Sequence, residues 1–221
     1  MAYHLNFGYI WRHFDKLTWG LVLSLELAFV SILIGMAIGL SLALAYTGGG
    51  RRVRGIVAGY VEFIRNVPLL LLVYLVFYGV PSIGGFAYDA TTSFIITLSV
   101  YAGAYMVEVF RAGLAAIPKG LIDAGKAIGL NAWQRLIWVR LPTMFRIVLP
   151  SLSNAYVSLF KDTSLASVIA VPELTYGAQW IKTNSFRVIE VWMVVTPMYL
   201  ITGYALLFAL QQIERRFAIQ R

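Results

Sequence analysis

Acidic and hydroxyl side chains inside an apolar segment are the first candidates for chemistry in this sequence. Asp162 lies about 18 Å along the apolar segment that follows Pro150, and therefore near the middle of a bilayer. A carboxylate there, beside the hydroxyls of Thr163 and Ser164, could bind an ammonium group and hydrogen-bond a zwitterion. The alternative is a buried structural network. Lys161 is adjacent, but successive helix positions differ by about 100°, so only one of the two charges can face a pathway and the other should pair with another helix.

Other charged residues near the apolar segments are explained more simply by local pairing. Glu62 with Arg65, and Glu108 with Arg111, are spaced i, i+3, which favours ion pairs along one helix face. Arg65 lies deeper than the others and could instead meet a substrate carboxylate.

Two tyrosines and one further glutamate complete the polar candidates. Tyr101 and Tyr105 lie one helical turn apart and could line a polar cavity, although aromatic residues at this spacing also pack simply against each other. Glu26 lies within the first apolar segment, so it must face protein or water.

The sequence lacks the groups that would power transport or catalyse a reaction. It has no G-x-x-x-x-G-K-[ST] loop, and the run from Gly48 to Gly50 lacks a lysine at the required offset. The only histidines, His4 and His13, lie in the N-terminal tail, and there is no cysteine. We therefore predict that the chain is not an enzyme and holds neither a cofactor nor a metal.

The elements that carry these residues are predicted to be membrane helices. Of the 221 residues, 60% are hydrophobic and only 13% are charged, which is more apolar than a soluble domain could bury. Each crossing needs about 20 apolar residues, which leaves room for about five spans and no separate soluble domain. We predict a single all-α transmembrane domain over residues 1–221. Its spans are expected near 17–46, 57–80, 93–115, 148–171 and 188–211.

The basic residues predict how these spans cross the membrane. The net charge is +8, but the cations cluster between spans, which fits a membrane lipid surface rather than a nucleic-acid partner. By the positive-inside rule the clusters are cytoplasmic, so the N-terminus is expected outside and the C-terminus inside. The clusters are Arg51 to Arg54, Lys119 to Arg146 and Arg215 to Arg221.

Prolines and glycines predict where the spans end and how they pack. Pro142 and Pro150 are expected to bracket the start of the fourth span. Residues 172–187 mix aromatic and charged side chains, as expected for an interfacial connection. Gly35-x-x-x-Gly39 forms a stripe of small residues, which predicts close contact with another helix.

Residues 117–146 form a polar, basic segment between the third and fourth spans. The pattern predicts a short helix that Gly129 terminates in a left-handed turn, and a second helix from about Ala132 to Arg140. Small side chains in the first helix would let the groove of a partner approach the backbone. On physical grounds alone, an amphipathic helix on anionic lipid fits equally well, because tryptophans and arginines are interspersed in the second helix.

Several motifs, in this order and spacing, resemble those of the permease subunits of polar amino-acid ABC importers. The segment that begins at Asp123 resembles their E-A-A-x-x-x-G-x9-I-x-L-P loop, with Asp123, Gly125 and Val139 replacing Glu, Ala and Ile. Glycine costs a helix about 1 kcal/mol relative to alanine. Tyr60 to Leu70 resembles the run Y-V-E-x-F-R-x-x-P-L-L, with Ile64 in place of Phe. The runs E-x-x-R-x-G-x-x-x-I-P-x-G and K-D-T-S-L are matched at Glu108 to Gly120 and Lys161 to Leu165, and Glu173-Leu174-Thr175 follows.

The resemblance covers nearly the whole chain and implies the five-helix fold of type I importer permeases. It also implies import of polar amino acids across the bacterial inner membrane, with a second permease chain, two subunits that bind ATP and Mg²⁺, and a periplasmic or lipid-anchored binding protein. The implied contacts with the ATPase are Asp123, Ala124, Gly125, Ala127 and Gly129. The expected substrate contacts are Arg65, Tyr101, Tyr105, Asp162, Thr163 and Ser164.

Two other classes of protein compete with this interpretation. An ion-coupled carrier would use Glu26, Glu108 and Asp162 as a proton path and would need no ATPase. A membrane scaffold would not transport at all, so that removing the carboxylate of Asp162 would leave growth on the amino acid unchanged. Within the importer class, arginine, glutamine, glutamate and histidine are all possible substrates.

Overall fold

The computed structural model describes residues 3–85 and 87–217, which form an all-helical chain. Its α-helices are α1 (Gly8–Arg12), α2 (Phe14–Gly48), α3 (Arg51–Asn66), α4 (Leu69–Tyr74), α5 (Val80–Gly84), α6 (Ala90–Ala115), α7 (Lys119–Ala127), α8 (Ala132–Arg135), α9 (Leu141–Asp162), α10 (Leu174–Ser185) and α11 (Val188–Phe217). The chain winds into wider π-helical turns at Leu75–Gly79 and Leu136–Arg140, and into a tighter 3-10 helix at Thr163–Ile169.

Four helical segments in the described part are long and apolar enough to cross a membrane. A fifth is added if α3 and the α4–α5 segment count as one bent span. The four are Phe14–Gly48, Ala90–Ala115, Ala132–Ile169 and Val188–Arg216. The predicted all-helical class is confirmed, and the structure offers four to five spans where the sequence predicted five.

The predicted second span, residues 57–80, is not one continuous helix. The chain bends by 104° between Asn66 and Leu69, so that α3 and the α4–α5 segment run in different directions. Pro68 causes the break, because it disfavours a helical conformation at the preceding residue. Val67 is accordingly extended, with φ −96° and ψ 131°.

Pro142 and Pro150, which were expected to bracket the start of the fourth span, do not end a helix. The chain is helical without interruption from Ala132 to Asp162, with a π-helical turn just before Pro142. Prolines are tolerated within membrane helices where neighbouring helices and local changes of winding support the backbone. Here α9 packs so closely on α6 that a Cβ added at Gly113 would lie 2.3 Å from Val148 Cγ1.

Residues 172–187, predicted as an interfacial connection, contain the helix α10. Glu173 begins this helix, because its carboxylate accepts hydrogen bonds from the backbone amides of Thr175 (2.9 Å) and Tyr176 (2.7 Å). The same carboxylate accepts hydrogen bonds from Ser24 Oγ (3.3 Å) on α2 and Tyr199 OH (3.0 Å) on α11. Glu173 is fully buried, so these four donors hold three helices together.

The stripe of small residues on α2 packs against α6, which confirms the predicted helix contact. A Cβ added at Gly35 would lie 2.6 Å from the Cβ of Ala102, and one at Gly39 would lie 2.3 Å from the Cβ of Met106. The two contacts advance together along both helices, so α2 and α6 run parallel. The N-terminal ends of α2 and α6 therefore lie at one end of the molecule, and the α6–α7 connection lies at the other end.

Replacing Gly39 by alanine should destabilise this contact. Because the new methyl group cannot fit without moving α6, we expect a loss of about 1–3 kcal/mol of folding free energy. A lower melting temperature of the purified permease in detergent would report it. Gly203→Ala on α11 is the control, because a Cβ there would meet no atom within 4 Å. Equal melting temperatures for the two variants would contradict the close α2–α6 contact.

Candidate functional site

A cavity of about 350 Å³ lies between α6 and α9. Three of the predicted substrate contacts, Tyr101, Tyr105 and Asp162, line it. The tyrosines come from the middle of α6, and Asp162 is the last residue of α9. The wall also includes Ala102, Met106, Asn154, Ala155, Ser158 and Leu159.

The two tyrosines face this cavity as a pair and also contact each other. Their hydroxyl oxygens lie 3.1 Å apart, and their ring centroids lie 4.9 Å apart. The tyrosines therefore both line the cavity and pack against each other, which were the two interpretations of their spacing. The guanidinium carbon of Arg65 lies 5.1 Å from the ring centroid of Tyr105, within the range of a cation–π contact. The bent second segment thus brings a cation to the edge of the cavity.

The two predicted local ion pairs have different outcomes. Arg111 Nη1 lies 2.6 Å from Glu108 Oε1, so this pair is confirmed, and the guanidinium group also stacks 4.0 Å above the ring of Tyr46. Among the described residues, Glu62 and Arg65 form no ion pair. The side chain of Arg65 contacts the Tyr105 ring on α6 instead.

The hydroxyl groups of Thr163 and Ser164 are not brought to the cavity. Thr163 is fully buried, and its Oγ1 donates a hydrogen bond of 2.7 Å to the carbonyl oxygen of Phe160. Ser164 is not part of the cavity wall. The two residues follow Asp162 directly, and successive helix positions differ by about 100°, so they do not share the face of α9 on which Asp162 lies. Lys161 lies outside the wall, as expected from the angle between neighbouring positions, but it is exposed and forms no ion pair with another helix among the described residues.

Two polar wall residues, Asn154 and Ser158, were missed by the sequence reasoning. They precede Asp162 by eight and four positions, so all three lie on one face of α9. Spacings of four between polar residues in an apolar segment could have identified them. In this single chain both side chains are exposed, so the cavity is open on that side.

The segment between α6 and α9 folds as the predicted pair of helices. Gly129, with φ +82°, makes the left-handed turn that ends α7. Asn131 then starts α8 with a capping box, in which its side chain and that of Gln134 each accept a backbone hydrogen bond of 2.9 Å. The second helix does not end at Arg140, however, but continues into α9.

The predicted ATPase contacts lie on two different sides of α7. Asp123, Ala124, Ala127 and Gly129 are exposed. Gly125 is buried, because its Cα faces Arg135, whose Cγ would lie 3.4 Å from an added Cβ. An added Cβ would thus make an ordinary contact with Arg135, and Gly125 faces α8 on the side of α7 that a partner cannot reach directly.

Large apolar side chains are exposed at the same end of the molecule. Ile128 is 76% exposed, Trp133 68% and Trp138 73%. Together with the small residues of α7 they form an apolar surface next to the exposed ion pair of Asp123 and Lys126, whose atoms lie 2.9 Å apart. A surface of this kind suits contact with another protein or with a lipid surface.

Taken together, these features are those of a membrane permease. A cavity with several polar side chains in its wall lies between two spans, and an exposed pair of short helices lies at one end. In the described residues no group of three or more His, Asp or Glu side chains could hold a metal ion.

Comparison with known proteins identifies the family. Residues 31–218 match the model of the family described as the binding-protein-dependent transport system inner membrane component, and the chain belongs to that family. It is 34% identical over 211 residues to the glutamine transport system permease protein of Escherichia coli K12, covering 95% of this chain and 96% of that protein. It is 36% identical over 201 residues to the L-cystine transport system permease protein of Bacillus subtilis, covering 90% and 86%.

A solved structure agrees with these relatives. The crystal structure of an amino acid ABC transporter with histidines contains a chain with a TM-score of 0.88 and 26% sequence identity, covering 97% of this chain and 100% of that one. The predicted resemblance to permeases of polar amino-acid ABC transporters is therefore confirmed.

Family membership decides between the classes of protein that the residues left open. The chain is the inner membrane permease component of an amino-acid ABC importer, and not an autonomous carrier or a scaffold. Such a chain is not an ATPase and contains no cofactor, and it works with an ATPase and a binding protein. It is a multi-pass protein of the bacterial inner membrane.

Proposed function

We propose that this permease carries polar amino acids through the cavity between α6 and α9. The observation that supports this most directly is the meeting of Asp162, Tyr101 and Tyr105 in one cavity, with Arg65 at its edge. A volume of about 350 Å³ lies at the small end of the range for ligand pockets, about 300–1,000 Å³. The named substrates of its relatives, glutamine and L-cystine, are polar amino acids of suitable size.

The charges around the cavity suit a zwitterion. Asp162 would receive the α-ammonium group, and Arg65 would receive the α-carboxylate, in the charge-assisted hydrogen bonds that such groups favour. Asn154, Ser158 and the tyrosine hydroxyls would contact the side chain. Thr163 and Ser164 would contact the amino acid only in a different conformation of the permease, because their hydroxyls do not face the cavity here.

The uninterrupted helix from Ala132 to Asp162 gives a direct mechanical link between the ATPase and the cavity. In our proposal the ATPase receives Asp123, Ala124, Ala127 and Gly129, while Gly125 faces Arg135 and does not touch the ATPase. A movement of α7 and α8 would then turn α9 as a rigid body and carry Asp162 with it. Closure of the ATPase dimer on ATP would in this way change the side on which the cavity opens.

We further propose how the chain assembles. The N-terminus lies outside and the C-terminus in the cytoplasm, because the basic clusters follow α2, α6 and the end of α11. A second permease chain, identical or homologous, would close the open side of the cavity beside Asn154 and Ser158. Two ATP-binding subunits would then bind the two copies of α7 and α8, and a periplasmic or lipid-anchored binding protein would deliver the amino acid.

Reconstitution into liposomes tests this function. The permease with its ATPase and binding protein should accumulate a radiolabelled polar amino acid when Mg·ATP is supplied on the cytoplasmic side. The permease alone, given a proton gradient and no ATP, should accumulate none. Uptake by the permease alone would overturn the proposal, and so would ATP-driven uptake that requires no binding protein.

A further inference from the structure

A polar cleft of about 380 Å³ lies between the N-terminal segment and the turn that joins α10 to α11. Two guanidinium groups, those of Arg12 and Arg187, line it together with Asn6, Tyr9 and Asn184. This cleft shares no lining residue with the cavity between α6 and α9 or with α7, so the proposed transport function assigns no role to it.

The cleft lies at the end of the molecule opposite to α7 and α8. The α10 helix packs on the N-terminal part of α2, because a Cβ added at Gly177 would lie 3.0 Å from the carbonyl oxygen of Lys16. Since α2 and α6 run parallel, the α6–α7 connection lies at the far end of the molecule. In the proposed orientation the cleft faces the outside, where the binding protein of this family works.

A buried carboxylate holds the cleft in shape. Glu190 is fully buried and accepts hydrogen bonds from Tyr3 OH (2.6 Å) and from the backbone amide of Asn6 (3.0 Å). Arg187 Nη1 lies 3.4 Å from the same carboxylate and donates to the carbonyl oxygen of His4 at 3.1 Å. These contacts fasten the N-terminal segment to the start of α11, so that the cleft is already formed before any partner binds.

The charge of the cleft is positive. Arg187 is neutralised in part by Glu190, but Arg12 is exposed and forms no ion pair among the described residues. Lys16 and Lys182 lie on the neighbouring surfaces, and the only acidic side chain exposed on this part of α2 is Asp15. An anionic group, such as a carboxylate on a protein surface, would complement the cleft.

The turn beside the cleft carries an apolar side chain in an unfavourable conformation. Phe186 is 85% exposed and has φ 57°, a left-handed conformation in which glycine is usual at the end of a helix. The backbone conformation terminates α10, because the Phe186 amide donates a hydrogen bond of 2.9 Å to the carbonyl oxygen of Lys182. That turn does not require a large exposed aromatic side chain. A contact with a partner explains the choice of phenylalanine, because exposed aromatic residues are frequent anchors in interfaces.

We propose that the cleft and Phe186 form a docking surface for the binding protein, with Arg12 and Arg187 receiving carboxylates of that protein and Phe186 inserting into an apolar pocket beside them. The proposal rests on the proposed function for its orientation and its partner. A lipid surface is the other candidate, but lipid headgroups need no concave surface that a buried carboxylate holds in shape.

The test measures how the binding protein stimulates ATP hydrolysis by the complete transporter in nanodiscs. The binding protein is the one that supports uptake in the reconstitution above. For Phe186→Gly and Arg12→Glu, the concentration for half-maximal stimulation should rise about tenfold. Phe186→Gly is informative, because glycine suits the left-handed conformation, so the fold should be at least as stable as before. Arg52→Glu reverses an exposed charge at the opposite end of the molecule. It is the matched control and should leave the half-maximal concentration unchanged.

Each outcome separates this proposal from the proposed function. A tenfold rise, with unchanged hydrolysis in the absence of the binding protein, supports the docking surface. An unchanged half-maximal concentration in both variants overturns the docking surface, while normal stimulation leaves the proposed function in place. If Arg12→Glu raises the half-maximal concentration only in nanodiscs that contain anionic lipid, the cleft binds lipid and the proposal is wrong. Failure of the wild type to respond at all would instead contradict the proposed function.

Discussion

Replacing both Ala124 and Ala127 by arginine should abolish ATP-driven uptake. Both alanines are exposed on α7, where they leave the backbone accessible to a groove in the ATPase. Two long charged side chains would prevent that close approach, and repulsive elements of this kind are effective against a specific partner. We expect at least a hundredfold loss of uptake, measured in liposomes that contain the complete transporter.

The loss should come from failed docking and not from failed folding. The variant permease should reach the membrane in normal amounts, but it should no longer copurify with the ATPase. Gly48→Arg provides a control, because Gly48 is also exposed and a Cβ there would meet no atom within 4 Å. It adds a cation beside an existing basic cluster and should keep most of the activity. Normal copurification of the doubly substituted permease would show that α7 is not the docking element.

The connection from α7 and α8 to the cavity could be predicted from the sequence only in part. The two helices and the glycine turn between them could be predicted, because capping residues and left-handed glycines act locally. The continuity of α8 with α9 could not, because Pro142 and Pro150 normally end helices. In the structure α9 packs closely against Gly113 on α6, and support from a neighbouring helix is a condition under which membrane helices tolerate prolines.

The cavity, too, could be predicted from the sequence only in part. Asp162, Tyr101 and Tyr105 could be found from the cost of polar groups in hydrocarbon and from helical spacing. The position of Arg65 depends on the 104° bend at Pro68, which a span predicted by hydropathy alone does not contain. Thr163 and Ser164 were predicted as substrate contacts because they follow Asp162 in the sequence, but their hydroxyls do not reach the wall. The angle of about 100° between successive helix positions, which excluded Lys161 from the face of Asp162, applies to them as well.

Replacing Asp162 by asparagine should reduce uptake about 10- to 100-fold. This range corresponds to about 1.5–3 kcal/mol, the typical contribution of a hydrogen bond to a charged group, because the ammonium group of the substrate would lose its charged partner. Asparagine has nearly the same shape, so the cavity should keep its form. Stimulation of ATP hydrolysis by the binding protein should persist, because the docking elements are unchanged. Glu26→Gln is the matched control, since Glu26 lies on an exposed face of α2 outside the cavity wall.

The pattern of loss across substrates distinguishes two roles for Asp162. If the carboxylate binds the α-ammonium group, uptake of every transported amino acid should fall by a similar factor. If it binds a cationic side chain, Asp162→Asn should change the preference between arginine and glutamine and leave the uptake of glutamine nearly intact. Both results place Asp162 in the pathway. Unchanged uptake of all substrates would instead assign the carboxylate to a structural role, and the transport pathway would then have to lie elsewhere in the permease.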